Sequence, residues 1–323
     1  MTDVTCKPNF FIVGAPKSGT TSLHNYLSEH PDVFMSKTKE PCFLAPDFSC
    51  PTYPQTEEEY LLCFRGYSGE IRIGESTTSY LYSKKAARAI HNYAPSAKII
   101  AMLRNPVDLV VSLHAQYLKM GIESITRLQD ALVAETGRSQ GKCIPKRFRF
   151  PNEYLLYREV GKYAEQLSRY LSEFGGENVH VIIFDDFERD PASEFAKVCH
   201  FLDISTEFKP DMKIHNPAQT PRSVVLLCLH ELMTPILVMI GQQLRPIIPV
   251  RLLKLLWRVY RTLWEVNMKM GRTAAPTETL MALATYYEQE IKDIETLLRR
   301  DLSCWRLKNQ DYYNIQMEAK ESG

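Results

Sequence analysis

The stretch "FFIVGAPKSGTTSL", residues 10–23, decides the fold. It starts with an apolar run that stops at a glycine, which is typical of a buried parallel strand. A helical pattern follows from Gly19 to Glu29, and Pro31 ends it. A strand that leads through a tight loop into a helix brings free backbone N–H groups and a positive helix end to one point. The sequence therefore predicts an anion-binding loop.

The lysine of this loop is not where a nucleotide-triphosphatase loop has it. That loop reads G-x-x-x-x-G-K-[ST], with lysine after the second glycine. Here Gly14 and Gly19 keep the spacing, but the lysine is Lys17, inside the loop. The backbone amides and the neighbouring hydroxyls can hold one 5′-phosphate. Lys17 can then reach the oxygen that bridges this phosphate to a transferred group. A sulfuryl group carries less charge than a phosphoryl group, so one lysine suffices to neutralise that oxygen without a metal ion. The hydroxyls are those of Ser18, Thr20, Thr21 and Ser22.

Further strand signals alternate with helical patterns, at 71–76, 97–104 and 179–186. This alternation predicts an α/β fold with a P-loop-like central parallel sheet flanked by helices. After about residue 215 the strand signals stop, and a helical C-terminal elaboration is expected at 222–243, 249–270 and 277–300. We predict one domain over 1–323, with its core at about 8–215 and its helical region at about 216–305.

Composition excludes several classes of protein. The formal net charge of +1 gives no global basic field for nucleic acid. The eight cysteines contain no C-x-x-C pair, so neither a zinc knuckle nor a dense disulfide framework is indicated. Reduced thiols and the lack of a signal-peptide pattern favour a cytoplasmic protein. The longest apolar stretch, 224–240, contains His230 and Glu231, which makes it short for a transmembrane span.

The loop "GAPKSGTTSL" resembles the 5′-phosphosulfate loop of the sulfotransferase superfamily. Its members use 3′-phosphoadenosine 5′-phosphosulfate (PAPS) and release PAP. The stretch "LRNPVDLVVSLHAQYL", 103–118, is similar to that superfamily's 3′-phosphate motif, with Arg104 and Ser112 at the matching positions. The predicted position of Arg104 fits a role in ligand binding, because it lies at the carboxyl end of a strand, where ligands bind in such sheets. Asn105 can cap the next helix and Pro106 can begin it.

A third segment, "KTKEPCFLAPD" at 37–47, resembles the K-E-x-x-F-F segment of carbohydrate-type sulfotransferases. The resemblance implies that Glu40 is the catalytic base, which takes the proton from the acceptor as it attacks sulfur. Where the family often has a histidine and a phenylalanine, this chain has Cys42 and Leu44. The alternative role for Glu40 is to cap a loop.

The segment "GESTTSYLYS", 74–83, is similar to the family's G-E-x-x-x-x-Y segment. Some heparan-modifying members have a second functional lysine directly after that glutamate, and here the position is Ser76. The resemblance places four side chains in the acceptor pocket beside Glu40, although Glu75 alternatively anchors the loop. These four are Cys42, Glu75, Thr77 and Tyr80.

Three basic segments have open interpretations. Arg222 lies where the family has a basic loop over the nucleotide, or it is a surface arginine. The run "GKCIPKRFRF", 141–150, is either a solvated loop or an anion-binding lid. The amphipathic pattern at 249–270 packs on the core with a solvated basic face, or it contacts a membrane surface, a partner or a second copy.

The resemblance implies metal-independent, in-line transfer of a sulfuryl group to a hydroxyl or amine of a small-molecule natural product or metabolite, as in secondary metabolism. A glycan or glycolipid acceptor is the alternative within this class. Two alternatives come from other classes. A kinase-like phosphotransferase would need magnesium and a lysine directly after Gly19, which the chain lacks. A non-catalytic nucleotide-binding protein would use the same fold.

Overall fold

A computed structural model of the protein describes residues 7–48, 52–145, 148, 150–212, 219–221, 258, 268–270 and 275–306. The chain forms two compact units. The first comprises Met1–Val110, Arg149–Asn216 and Pro276–Gly323, and the second comprises Val111–Phe148 and Pro217–Ala275. The single-domain organisation expected from the sequence stays a prediction.

The first unit contains a five-stranded sheet whose neighbouring strands are all parallel. The predicted α/β fold with a central parallel sheet is confirmed. The strand order is β2-β3-β1-β4-β5. The chain places β2 and β3 on one side of β1 and then crosses to β4 and β5 on the other, so β1 lies at the switch point where ligands bind in such sheets. The strands are β1 (Phe10–Gly14), β2 (Val33–Met35), β3 (Arg72–Ser76), β4 (Lys98–Leu103) and β5 (Val179–Ile183).

Helices cover both faces of this sheet. On one face a continuous apolar core joins α1, α9 and α10 to the strands. On the other face α3 and α8 pack against the sheet, and α4 and α11 pack against α8. The described helices are α1 (Thr20–Ser28), α2 (Glu57–Leu61), α3 (Ser79–Tyr82), α4 (Ala86–Tyr93), α5 (Pro106–Lys119), α6 (Leu128–Arg138), α7 (Tyr157–Val160), α8 (Tyr163–Phe174), α9 (Phe184–Arg189), α10 (Pro191–Phe201) and α11 (Thr277–Leu298). None of these described helices is long and apolar enough to cross a bilayer.

Local sequence explains where several helices begin. The Asn105 side chain accepts the amide hydrogen of Val107 at 3.0 Å, directly before the proline that begins α5. Asp190 does the same for Ser193 at 3.0 Å, before the proline of α10. An oxygen at this position satisfies a backbone N–H that has no partner within the helix. The predicted cap of α5 is therefore confirmed.

The structure corrects three expectations about secondary structure. Residues 184–186 are not strand, because the chain enters α9 at Phe184. The short strand β2 was not predicted, since three residues are too few for a periodic signal. Strands also continue after residue 215: in the second unit β6 (Gln219–Pro221) pairs antiparallel with β7 (Met268–Met270).

The position of β7 corrects the bounds of one predicted C-terminal helix. The pattern at 249–270 cannot be helical to its end, because its last residues form β7. Arg258 is helical, and the rest of 249–267 and all of 222–243 lie outside the described residues. The third predicted helix, 277–300, is confirmed as α11.

Candidate active site

The loop between β1 and α1 has the geometry that its glycines predict. Gly19 caps α1 in the left-handed conformation, with φ of 87°, and a Cβ there would lie 3.2 Å from the Phe184 ring. A Cβ on Gly14 would lie 2.8 Å from the backbone oxygen of Thr78. Side chains at either position would strain the backbone or displace a neighbour. The two glycines therefore allow the loop to pass close to the segments that follow β3 and β5.

Lys17 lies at the turn of this loop with φ of 60°, in the left-handed region that lysine rarely adopts. Among the predicted phosphate ligands, Ser18 is buried and donates to the Pro16 oxygen at 3.3 Å. Ser22 hydrogen-bonds with Tyr26, while Thr20 is buried and Thr21 half-buried in the first turn of α1. The first amides of a helix have no intrahelical partner, so this turn can bind an anion through its backbone.

Arg104 reaches the same loop from the carboxyl end of β4. Its Nη1 donates to the Lys17 backbone oxygen at 3.1 Å, and its guanidinium lies 4.9 Å from the centre of the Phe184 ring. Its Nη2 is 3.5 Å from a carboxylate oxygen of Asp108. The side chain is only 7% exposed, so these contacts hold it in one orientation. The two predicted phosphate motifs thus meet at Lys17 and Arg104.

Glu40 lies in the loop after β2, and the segment after β3 holds it. Its amide donates to the Ser76 oxygen at 2.9 Å, and the Thr78 hydroxyl donates to one carboxylate oxygen at 2.9 Å. Lys39 is 2.8 Å from the other carboxylate oxygen. The Glu40 side chain is 38% exposed, so solvent or a substrate can reach it. Because the backbone of Thr78 also lies against Gly14, this one residue joins Glu40 to the start of the Lys17 loop.

The other predicted pocket residues lie inside the protein. Glu75, Thr77 and Tyr80 are completely buried, and Cys42 is nearly so. Burial raises the pKa of the Cys42 thiol to about 12, so this thiol stays protonated at neutral pH. Glu75 accepts from the Thr77 and Tyr80 hydroxyls, which in turn accept from backbone amides of the Glu40 loop. This arrangement favours the anchoring role for Glu75 over a direct role in lining an acceptor pocket.

The chain matches the sulfotransferase domain family over residues 7–219, well over half of its length. This protein belongs to the sulfotransferase family. The matched range contains the Lys17 loop, Glu40 and Arg104, and the resemblance found in the sequence is thereby confirmed.

Similar proteins agree on the family and the fold of this sulfotransferase. The chain is 30% identical to a sulfotransferase from Alicyclobacillus acidocaldarius, whose crystal structure matches 94% of this chain and 100% of that chain with a TM-score of 0.66. It is 29% identical over 204 residues to heparan sulfate glucosamine 3-O-sulfotransferase 6 of Mus musculus, covering 61% of this chain and 52% of the relative. It is 24% identical over 273 residues to carbohydrate sulfotransferase 15 of Mus musculus, covering 67% and 48%. The sulfotransferase thus spans about half the length of these two curated relatives.

Some predicted site residues are not brought into the described site. Ser112 is half-buried within α5, and its place beside Arg104 stays a prediction. Arg222 lies outside the described residues, as do Lys146, Arg147 and Arg149 of the basic run 141–150. Their proposed contacts with the nucleotide also stay predictions.

His24 is a residue near the site that the sequence did not reveal. It is buried in α1, and among the described residues no group hydrogen-bonds to its Nδ1. Burial and the Lys39 charge lower its pKa to about 4, against the opposing effect of Glu40, so the ring is neutral at pH 7. A lone histidine within an apolar helix pattern gives no sign that a carboxylate lies nearby. One signal in the sequence pointed to this position: His24 lies four residues after Thr20, so both side chains lie on the same face of the helix.

The segment after α11 contacts the residues that directly follow β4 and β5, next to the site. The Trp305 indole donates to Asp185 at 2.8 Å, and its backbone oxygen accepts from Asn105 at 3.2 Å. Arg300 pairs with Asp186. These contacts tie the segment after α11 to the residues that follow β4 and β5, and they give both aspartates structural partners.

Proposed function

We propose that this sulfotransferase moves the sulfuryl group of PAPS to a hydroxyl or amine of an acceptor. One observation supports the proposal: contacts of Arg104 and Thr78 join the Lys17 loop to the end of β4 and to the loop that contains Glu40. Arg104 binds the Lys17 backbone oxygen, and Thr78 contacts both Gly14 and the Glu40 carboxylate. These contacts support the proposal because they bring the segments that carry the proposed phosphate ligands, the proposed leaving-group cation and the proposed base next to one another.

The residues of the loop fit a nucleotide with a 5′-phosphate. Gly19 fits the left-handed turn beside Phe184 because it has no Cβ, and this turn begins the helix whose first backbone amides can bind an anion. The first turn of α1 would hold the 5′-phosphate, and Arg104, with Ser112 and Arg222, would hold the 3′-phosphate. When bound, PAPS supplies the sulfuryl group and leaves as PAP.

Each of the two catalytic residues has a separate role. Lys17 presents its ammonium to the bridging oxygen, where negative charge grows as the bond to sulfur breaks. Glu40 accepts the proton that the acceptor hydroxyl or amine loses. The Lys39 ammonium and the Thr78 hydroxyl orient the Glu40 carboxylate. In-line displacement needs the acceptor atom, sulfur and leaving oxygen on one line, so positioning contributes much of the rate. We propose that no metal ion takes part.

The acceptor has two candidate classes. We propose a small-molecule natural product or metabolite, and the partly exposed Glu40 side chain is accessible to an acceptor of either class. A glycan or glycolipid is the second candidate, and the names of the two curated relatives, a heparan sulfate and a carbohydrate sulfotransferase, favour it.

A transfer assay tests the proposal. The protein is incubated with PAPS, with and without a chelator, against one panel of hydroxylated and amine metabolites and one panel of oligosaccharides and glycolipids. Mass spectrometry then looks for the added sulfuryl group. We expect a sulfated product in one panel, equal rates with the chelator, and a rate lower by about a hundredfold or more with Lys17→Ala. Tight binding of PAP by calorimetry with no product in either panel would instead support the non-catalytic nucleotide-binding protein.

A further inference from the structure

Glu75, at the end of β3, is a fully buried carboxylate that the mechanism above does not use. Three hydroxyl groups donate to it. Thr77 donates to one oxygen at 2.6 Å, and Tyr80 donates to the other at 3.3 Å. Tyr60, from α2, donates to that second oxygen as well. A buried carboxylate with three donors is satisfied only while it is ionised and can accept all three.

Two of these three hydroxyls also accept a hydrogen bond from the loop that contains Glu40. The Thr77 hydroxyl accepts from the Cys42 amide at 3.4 Å, and the Tyr80 hydroxyl accepts from the Leu44 amide at 3.0 Å. Each hydroxyl therefore links the Glu75 carboxylate to one backbone amide of this loop. The Tyr60 hydroxyl donates to Glu75, and within the part of the chain that the structure describes it accepts no hydrogen bond from an amide of this loop. The carboxylate is thus connected to the Glu40 loop through two separate side chains.

The loop needs this support, because its backbone is strained. Glu40 has φ of 61° and Cys42 has φ of 53°, both in the left-handed region. Non-glycine residues persist there only when surrounding contacts fix them. The amides that Thr77 and Tyr80 hold belong to Cys42 itself and to Leu44, two residues later.

Within the described residues, the groups that act most on the Glu75 charge are the hydroxyls of Thr77, Tyr60 and Tyr80 and the Glu40 carboxylate. The titratable groups that face it come from the loop after β2, from α2 and the turn that follows, and from α3, α4 and α8: Glu40, Cys42, Tyr60, Cys63, Tyr80, Tyr93 and Tyr170. Burial raises the pKa of Glu75 to about 7, against the three hydroxyl donors, and the Glu40 charge raises it further. Protonation of Glu75 therefore takes place near neutral pH.

Protonation changes the hydrogen bonds of Glu75. The neutral acid carries one O–H donor, so one hydroxyl that donated to the carboxylate loses its acceptor. Where that hydroxyl is Thr77 or Tyr80, it turns its hydrogen elsewhere or accepts from the acid in place of the loop amide, and the link to the Glu40 loop is weakened.

We propose that Glu75 is a positioning residue for sulfuryl transfer, whose ionised carboxylate fixes the backbone of residues 40–44 through Thr77 and Tyr80. The inference rests on the proposed role of Glu40 as the base. It adds a requirement that the chemistry of Glu40 alone does not impose: turnover depends on the ionisation of a second carboxyl that never touches substrate.

Glu75→Gln tests the inference, since glutamine keeps the size but cannot accept three hydrogen bonds. We expect kcat to fall by about tenfold to a hundredfold, the effect of displacing a reacting group by up to 1 Å. The Kd for PAP should stay within about twofold, because Glu75 touches neither predicted phosphate site. The wild-type kcat should decline as the pH falls below about 7, and the variant should lose this decline.

Matched variants separate positioning from general damage. Thr77→Val keeps the Glu75 carboxyl and removes one of its two links to the loop, so it should lower kcat similarly. The loss in the double variant should be smaller than the product of the two single losses, because both changes weaken the Thr77 link. Tyr60→Phe removes a hydroxyl that donates only to Glu75 in this network and keeps the ring that stacks on Phe43. Its kcat should stay near wild type at a pH well above 7, where Glu75 is ionised in both proteins. Should Glu75→Gln fail to fold, Thr77→Val still decides the question.

Hydrogen exchange of a peptide that covers 40–44 gives a readout besides activity. Exchange should be faster in Glu75→Gln and Thr77→Val than in Tyr60→Phe and wild type. Equal exchange, with wild-type kcat and an unchanged pH profile, would overturn the inference. Glu40→Gln is measured in parallel. If that variant turns over normally, the proposed function fails, whereas the exchange result still reports on Glu75.

Discussion

Arg104 donates a hydrogen bond from Nη1 to the backbone oxygen of Lys17, at 3.1 Å. The arginine predicted to bind the 3′-phosphate therefore also fixes the loop predicted to bind the 5′-phosphate. Phe184 and Asp108 hold the same guanidinium from two other directions. Removing this side chain should consequently affect both ends of the nucleotide site.

Arg104→Ala should weaken PAP binding more than binding of adenosine 5′-phosphate, which lacks the 3′-phosphate. A hydrogen bond to a charged group contributes about 1.5–3 kcal/mol, which is a factor of roughly ten to a hundred in Kd. A smaller loss for adenosine 5′-phosphate should remain, because the Lys17 loop loses a contact. Calorimetry with both nucleotides measures this. Equal losses would show that Arg104 supports the loop without contacting the 3′-phosphate.

Lys17→Ala should lose most turnover and keep the fold. Loss of one electrostatic contact to a developing negative charge costs about 3 kcal/mol, roughly a hundredfold or more in kcat. Unfolding by heat should change little, since Lys17 is only half-buried. Lys292→Ala, which removes a lysine of α11 that pairs with Glu288, serves as the matched control. A Lys17→Ala variant that is as fast as the Lys292→Ala variant would remove Lys17 from the chemistry.

Glu40→Gln should separate chemistry from donor binding. The amide cannot take the acceptor's proton, so single-turnover rates should fall by about 10²–10⁴. The Kd for PAP should be unchanged, because the carboxylate contacts Lys39 and Thr78 and no predicted phosphate ligand. A variant that melts early but turns over normally would assign Glu40 to loop structure.

The free energy of unfolding should depend on pH through the protonation of Glu75. Burial raises its pKa from 4.5 to about 7, so the folded state holds the proton more tightly than the unfolded state. The contribution to stability is present below pH 4.5 and is lost as the pH rises through about 7. A shift of this size corresponds to about 3 kcal/mol.

Comparison with Glu75→Gln isolates this contribution. His24, whose pKa is lowered to about 4, changes stability with the opposite sign between its folded and unfolded pKa values. The difference in unfolding free energy between wild type and variant cancels that effect. Urea unfolding at pH 5 and pH 8 should show wild type losing stability relative to the variant. A pH-independent difference would show that Glu75 does not titrate in this range.

Local sequence patterns were enough to predict the central strands and helices and the part of the site that contains Lys17 and Arg104. The sequences of β1, α1 and β4 carry strong apolar runs and glycine or proline boundaries, so Lys17 and Arg104 could be located from short motifs. Three-residue strands such as β2 and β7 have no such signal, and partners distant in sequence set their positions.

The rest of the site depends on long-range contacts. Nothing in "GESTTSY" shows that Tyr60, from a separate helix, completes the hydrogen bonds of Glu75. Likewise, the links from Thr77 and Tyr80 to the Glu40 loop join residues 35 and 36 positions apart. The resemblance assigned Glu40 to a family segment, and that role stays a prediction, whereas the folded chain was needed to distinguish an anchor from a pocket wall at Glu75.

The left-handed backbone at Lys17, Glu40 and Cys42 has a consequence for how this protein tolerates mutation. Each non-glycine residue held there costs about 1 kcal/mol or more. Glycine or asparagine at Lys17 or Glu40 would relieve that cost and also remove the charged group. Selection for abundance and selection for turnover should therefore favour opposite substitutions at these two positions. A mutational scan scored separately for protein level and for sulfated product would show this opposition as glycine variants that accumulate well and react poorly.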